Sequence, residues 1–231
     1  VHVAYEISTR SVDIAGNIES VTVIDSLKYD TELPISAVNM DSHYYSASSW
    51  SRDSSVAGFA RDTVSGLALV ELQIFYPLDT LWWGGEEWVN ELTWITANGN
   101  STWIFGLDSE ELVDGSSYQI YSRTEDQAGN VQADSGFGSF IYDISGPNVG
   151  LVLDGFDSLD VDWTNSVTNV SANWSGFFDQ TLGIAEYEIA FGSNAGNDNI
   201  IPWTGVGLDT FFSFQDIELI HGFEYFFNVR A

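Results

Sequence analysis

The chain has 231 residues, 34 of them acidic and six basic, for a formal net charge of −28. That balance excludes nucleic acid and anionic lipid as partners, because each needs a cationic patch. An apolar content of 44% with 15% aromatics excludes intrinsic disorder, and the lack of cysteine excludes disulfides and thiolate metal sites.

No run approaches the about 18 consecutive apolar residues of a spanning helix, so no membrane insertion is expected in this segment. The sequence starts at Val1 with no charged-then-apolar leader, and it stops at Val229-Arg-Ala231 inside what reads as a strand. It is therefore expected to be a piece of a longer protein.

In chain order, the first feature is Tyr5-Glu-Ile-Ser-Thr-Arg10-Ser-Val-Asp13-Ile-Ala-Gly16-Asn17-Ile-Glu19, a strand leading into a glycine-containing loop. It recurs as Tyr118-Gln-Ile-Tyr-Ser-Arg123-Thr-Glu-Asp126-Gln-Ala-Gly129-Asn130-Val-Gln132, a shift of 113 residues from Tyr5 to Tyr118. The same shift carries Asp30-Thr-Glu-Leu-Pro34 onto Asp143-Ile-Ser-Gly-Pro147. Next come the turn Asp62-Thr-Val-Ser-Gly66 and a strand over 67–75, with Val70, Leu72 and Ile74 on the core face and Glu71 and Gln73 on the wet face. Residues 77–106 hold Trp82, Trp83, Trp88, Trp94 and Trp103, five of the nine tryptophans.

Further on, Asp154-Gly-Phe-Asp157-Ser-Leu-Asp160-Val-Asp162 is acidic but lacks the glycine and terminal glutamate of an EF-hand. Phe178-Asp179-Gln-Thr-Leu-Gly183 answers to the turn at Asp62. Tyr187, Ile189 and Phe191, then Phe212 and Phe214, then Tyr225, Phe227 and Val229 mark later strands by period-two alternation. A third copy of the first motif opens at Tyr225-Phe-Phe-Asn-Val-Arg230. No run shows sustained helical periodicity.

A repeat of about 110 residues is the size of one β-sandwich domain. The expected fold class is all-β: tandem immunoglobulin-like and fibronectin type III-like antiparallel β-sandwiches. Residues 1–30 read as the C-terminal strands of a preceding module. Residues 31–143 read as a complete immunoglobulin-like module, and 144–231 as a fibronectin type III-like module lacking its last strand. Leu112-Val-Asp-Gly115-Ser-Ser-Tyr118 and Leu219-Ile-His-Gly222-Phe-Glu-Tyr225 share the spacing of a tyrosine corner, which gives Gly115, Tyr118, Gly222 and Tyr225 structural roles.

The complete unit, with Asp30-x-x-x-Pro34, Asp62-x-x-x-Gly66 and Asp126-x-Ala-Gly-Asn130, resembles the immunoglobulin-like repeats of large bacterial and archaeal surface proteins. The third unit, with Ala172-Asn-Trp174, Asp179-x-x-x-Gly183-Ile-x-x-Tyr187 and the Tyr225-to-Arg230 strand, is similar to fibronectin type III modules. The resemblance implies tandem extracellular modules of adhesins, stalks or spacers beside secreted enzymes. Residues 77–106 depart from it by lengthening the middle unit.

The chain offers poor material for catalysis. His2, His43 and His221 are scattered, and no His-Glu-x-x-His or Gly-x-Ser-x-Gly motif occurs, so no enzyme is expected. The carboxylates offer more. In the expected topology the loops carrying Asp62, Asp126 and Asn130 share one end of the sandwich with the incoming linker that carries Asp30. Hard oxygens converging there would suit calcium; the alternative is that the same residues only shape turns. Likewise the five tryptophans of residues 77–106 are either an exposed platform for sugar rings, with Trp82, Trp83 and Trp88 as its candidates, or the core of a long hairpin closing the middle unit.

The function expected is therefore a non-catalytic stalk, spacer or adhesion segment of a secreted or cell-surface prokaryotic protein. Its partners would be other modules of the same chain and surface glycans or proteins. The alternative is an accessory carbohydrate-binding segment of an extracellular hydrolase.

Overall fold

The computed structural model describes residues 4–20, 22–40, 43–156, 160–166 and 168–231. Two compact units divide the chain, Val1–Ile144 and Ser145–Ala231.

The first unit opens with an antiparallel hairpin of β1 (Ala4–Thr9) and β2 (Thr22–Lys28). After it come β3 (Ile35–Val38), β4 (Tyr44–Tyr45), α1 (Ala47–Asp53), β5 (Ser55–Arg61) and β6 (Leu67–Tyr76). The tryptophan-rich segment supplies β7 (Leu81–Trp83), β8 (Trp88–Val89), β9 (Ile95–Thr96) and β10 (Thr102–Gly106), and β11 (Ser116–Asp126) and β12 (Gly136–Tyr142) follow. One sheet has the order β10-β5-β3, the other β4-β12-β11-β6-β7-β8, with β9 attached to β6. All pairings are antiparallel except the two-residue parallel contact of β4 with β12.

The core lies between these sheets. Val56, Ala60 and Trp103 from the first cluster with Val70, Leu72, Ile74, Tyr118, Ile120 and Phe140 from the second. Each large apolar side chain so buried contributes about 1.5–3 kcal/mol. Gly58 is required by this packing, because a Cβ there would come within 2.2 Å of the Trp103 ring and 2.1 Å of the Ala37 carbonyl oxygen.

The helix α1 departs from the sequence expectation. Seven residues are too few to display a helical period, and its signal is local: Ser46 and Ser49 form a capping box. Its purpose in the fold is Trp50, fully buried, stacked on Phe140 at 4.7 Å and donating its indole N–H to the Leu107 carbonyl. Gln73 departs too: it is buried although expected on the wet face. On that side β9 pairs along β6, and Arg123 lies over the Trp94 ring.

The second unit comprises β13 (Leu151–Asp154), β14 (Val170–Ser175), β15 (Tyr187–Gly192), β16 (Ile201–Gly207), β17 (Phe211–Phe214) and β18 (Phe226–Arg230). Its sheets are ordered β13-β14-β17 and β16-β15-β18, around Ala172, Trp174, Tyr187, Ile189, Phe191, Phe214 and Ile217. Both units are thus β-sandwiches.

The repeats seen in sequence recur as hydrogen-bond patterns. In β1–β2 Tyr5 faces Leu27, and in β11–β12 Tyr118 faces Phe140, the same register displaced by 113 residues. The bridge Val12–Ile18 matches the bridge Glu125–Val131. In β6–β11 Glu71 faces Arg123, and in β15–β18 Glu188 faces Arg230. Each arginine pairs with its glutamate, at 2.7 and 2.5 Å, and lies over a tryptophan, Arg123 at 4.1 Å from the Trp94 centroid and Arg230 at 4.2 Å from Trp203. Arg10 occupies the corresponding place in the first motif, so three of the six basic residues sit at one repeat position.

Both tyrosine hydroxyls accept a backbone hydrogen bond from five residues upstream, Tyr118 from Val113 N–H and Tyr225 from Ile220 N–H, each at 2.8 Å. Gly115 and Gly222 hold the turns between at φ of 73° and 81°, in the left-handed region that favours glycine. Burial pushes the Tyr118 phenol up to about 12, so its proton stays on.

Tyr118→Phe leaves the Val113 N–H without its acceptor and should cost about 1–2 kcal/mol in chemical denaturation. Trp50→Ala opens a cavity in the same core and should cost about 3–5 kcal/mol. Equal stability of wild type and Trp50→Ala would contradict the place given to α1 in the core.

Candidate metal centre

Three loops of the first unit bring carboxylates together. Asp30 follows β2, Asp62 lies in the turn after β5, and Asp126 ends β11; one oxygen from each lies within 4.8 Å of the others. Asp30 and Asp126 are buried, and Asp62 is half-buried.

Each carboxylate is fixed by neutral donors. Asp30 accepts from the backbone N–H groups of Glu32 and Ser65, both at 2.9 Å. Asp62 accepts from Val64 at 2.9 Å and Gly66 at 2.8 Å. Asp126 accepts from the amides of Ala128 and Asn130 and from the Asn130 side chain. Asn130 Nδ2 also reaches the Asp30 carbonyl at 3.3 Å, and Gln127 N–H donates to the Gly66 carbonyl at 2.8 Å. The incoming linker and the two loops are thereby sewn together.

Desolvation, the largest influence on Asp62, pushes its carboxyl up. The amides of Gly66, Val64 and Thr63 outweigh it and hold the group below the usual range, against a further upward push from Asp126. Asp126 is also lowered. Desolvation acts upward, and the Asn130 side chain and the amides of Asn130 and Ala128 more than offset it. The Ser65 hydroxyl helps lower Asp126, yet its oxygen is buried without a partner at hydrogen-bond geometry.

Among the described residues no cation is paired with these three groups. Like charges at this separation, 4.8 Å or less, repel by roughly 1–3 kcal/mol per pair.

The turn geometry itself recurs elsewhere in the chain. Asp13 binds Asn17 through both carboxylate oxygens at 2.7 Å, as Asp126 binds Asn130. Asp179 accepts from the amides of Thr181, Leu182 and Gly183 in the pattern of the Asp62 turn. Turn shaping accounts for each loop separately and leaves the meeting of three carboxylates over. Ser65 and Glu32, whose carboxylate takes the Thr63 hydroxyl at 2.7 Å, were missed in the sequence. Only their positions inside the Asp62–Gly66 turn and beside Asp30 could have signalled them.

The tryptophans do not form a platform of three. Trp83 is 5% exposed and packs edge-on against Trp88 at 5.3 Å. Trp88 is half-buried against the core and donates its indole N–H to the Glu111 carbonyl. Trp82, one residue before Trp83, leans instead on Phe75 at 4.9 Å. The long-hairpin alternative needs correction as well, since Trp103 belongs to β10 in the opposite sheet and Trp94 lies under Arg123.

In the second acidic cluster burial raises Asp154, with Asp160 and Asp162 adding to the effect. Asp157 and His2 lie outside the described residues. His43 and His221 are exposed.

No known protein-family profile matches the chain, and no curated protein matches it in sequence. Among solved structures it is similar to a Ca2+-stabilized adhesin with which an Antarctic bacterium reaches out and binds ice. The identity is 17% and the TM-score 0.40, over 98% of this chain and 55% of that one. It is also similar to the FN1–FN3 domains of chicken CNTN1, at 9% identity and TM-score 0.42, over 97% and 70% of the two chains. A tetra-tandem repeat from the extending region of a large adhesion protein matches at 18% identity and TM-score 0.34, over 95% and 49%. The chain spans about half the length of the first and third of these.

Both lowered carboxyls in the cluster set a sign for acid stability. A depressed folded-state pKa gives stabilisation that is present above the unfolded value, about 3.9 for aspartate, and is lost as pH falls through the folded value. The first unit should hold its calcium-free denaturation midpoint from pH 7 to about pH 5 and lose it progressively below about pH 4. Asp126→Asn should flatten that acid limb; an unchanged limb would show that these groups do not carry it.

Proposed function

We propose that this chain is a non-catalytic run of tandem β-sandwich modules from a secreted or cell-surface prokaryotic protein, serving as a spacer or adhesion segment. One observation carries the reading: the β1–β2 hairpin and its Asp13–Asn17 loop repeat β11–β12 and its Asp126–Asn130 loop in register and hydrogen bonding. Tyr5, Ile7 and Leu27 of the hairpin are 54%, 56% and 59% exposed, whereas their counterparts Tyr118, Ile120 and Phe140 are buried at 0%, 0% and 1%. Residues 1–30 are accordingly the closing hairpin of a preceding module, 31–143 a full module, and 144–231 a module without its last strand.

At the junction, Asp30, Asp62 and Asp126 bind calcium, with Asn130 holding Asp126 and the Asp30 carbonyl in place and Ser65 supplying a further oxygen. The cation removes the repulsion among the three carboxylates and ties the linker to the sandwich. Extracellular modules bind calcium with dissociation constants of about 0.1–1 mM, and the acid-rich surface suits the same setting. Other modules of the same chain, and surface glycans or proteins, are its partners.

Calorimetric titration with calcium at millimolar concentration should give a saturable heat, together with a melting shift abolished by chelator and by Asp62→Asn. Absence of both heat and shift would remove calcium from the reading. The modular division stands or falls separately, on whether residues 31–143 produced alone unfold cooperatively.

A further inference from the structure

The sheet β4-β12-β11-β6-β7-β8 turns Val70, Leu72, Ile74, Tyr118, Ile120 and Phe140 to the core, so the alternate residues of the same strands share its outer face. Register sets these in two rows. One runs from Phe137 through Tyr121 to Gln73, the other from Gln119 through Phe75 to Trp82. The rings meet in pairs, Tyr121 with Phe137 at 5.3 Å and Phe75 with Trp82 at 4.9 Å. Phe137 is 57% exposed, and the other three rings are half-buried. Neither row holds a charged residue, although the chain carries −28. In the row beyond them Glu71 and Arg123 cancel each other.

Gln73 stands between the two ring pairs, with Tyr121 across the strand and Phe75 next along the same face. It is 6% exposed, and among the described residues nothing hydrogen-bonds its amide. Buried amides are ordinarily paired, so this one marks a place where the partner comes from outside. Gln119, whose Oε1 accepts the Tyr121 hydroxyl at 3.0 Å, puts a second amide between the rings.

We infer that this outer face binds a neutral oligosaccharide lying across β12, β11, β6 and β7. A sugar ring offers C–H faces to aromatic rings, and hydroxyls that both donate and accept, as an amide requires. An apolar protein surface would leave Gln73 unpaired, and a charged ligand would meet no counter-charge. The rings span three strand spacings, about 14 Å, which suits several sugar units in a row. The face shares only Trp82 with the group expected from sequence. The inference rests on the function proposed above for its class of partner, a surface glycan, and adds the face that takes it.

The test titrates cellohexaose, laminarihexaose, mannohexaose and chitohexaose at millimolar concentration into the 231-residue chain, with oligogalacturonate as an anionic control. At least one neutral sugar should give a saturable heat and a change in tryptophan fluorescence, and oligogalacturonate should give neither. Trp82→Ala should weaken that binding about tenfold or more, and Gln73→Met roughly three- to tenfold. The denaturation midpoint of Gln73→Met should stay level or rise, because an apolar side chain of similar shape replaces an amide without a partner. A merely structural Gln73 would instead lower the midpoint.

The inference is overturned if none of the four neutral sugars binds, if both variants bind as the wild type does, or if oligogalacturonate binds as well. A fall in the Gln73→Met midpoint would overturn the place given to its amide. Dimers in sedimentation that disappear in Trp82→Ala would assign the face to a second copy and overturn it likewise. Failure here leaves the spacer reading and the calcium titration standing, since neither uses this face.

Discussion

The pairing of β11 with β6 is the constraint on which the first unit rests. Side chains alternate across a sheet, so a slip of one residue would send Tyr118 and Ile120 to solvent and Arg123 into the core. Three independent features fix the register. The Tyr118 hydroxyl anchors the start of the strand to Val113, Arg123 meets Glu71 while stacked on the Trp94 ring, and Thr124 donates its hydroxyl to the Leu69 carbonyl at 2.7 Å. With β11 so placed, its last residue, Asp126, arrives beside the turn that precedes β6. That is why Gln127 reaches Gly66 and why Asp126 meets Asp62.

The same register governs how the chain uses its few cations. An exposed ion pair alone is worth little, because solvent screens it and two long side chains must be ordered. Placing the guanidinium over a tryptophan adds an attraction of about 0.5–1 kcal/mol at exposed sites. It also restricts the arginine to the conformation that meets the glutamate. A protein with six basic residues that spends two of them on this arrangement, Arg123 and Arg230, uses them to set register rather than to balance net charge.

How much of this was legible in the sequence depends on how local each feature is. The tyrosine corners and the Asp-x-Ala-Gly-Asn loops are encoded within a few residues, so spacing alone announced them. Strand faces were legible wherever alternation was clean, as at Val70, Leu72 and Ile74. Gln73 departs from that reading: it is buried although alternation within β6 puts it on the face of Glu71. The helix α1 defeated it because, among the side chains described in this seven-residue element, Trp50 alone is deeply buried, and one residue makes no period. The tryptophans were grouped because they are neighbours in sequence, but Trp83 and Trp103 enter the core from opposite sheets. Among the candidate site residues, the convergence of Asp30 on Asp126 spans nearly a hundred residues. It was legible only through the expected topology, while Ser65 and Glu32 carried no distinguishing pattern.

Geometry and charge are handled by different means at the three carboxylates. Hydrogen bonds from neutral amides fix where the oxygens lie and favour the ionised form, but they bring no positive charge. The folded state therefore keeps Asp62 and Asp126 ionised while tolerating the repulsion between them. The Asp13–Asn17 loop has the same local geometry, so the hydrogen bonding belongs to the loop, while the repulsion arises where Asp30, Asp62 and Asp126 meet. Because Asp30 lies on the linker, the cost falls on the segment that joins the β1–β2 hairpin to the sandwich. Among the described residues the Asp30 carboxylate is held there by the amides of Glu32 and Ser65, while Asn130 holds the Asp30 backbone carbonyl. A joint arranged in this way responds to whatever neutralises its carboxylates, protons or a divalent cation. The two differ in consequence: protons remove the charge that the amides were arranged to bind, whereas a cation leaves it in place.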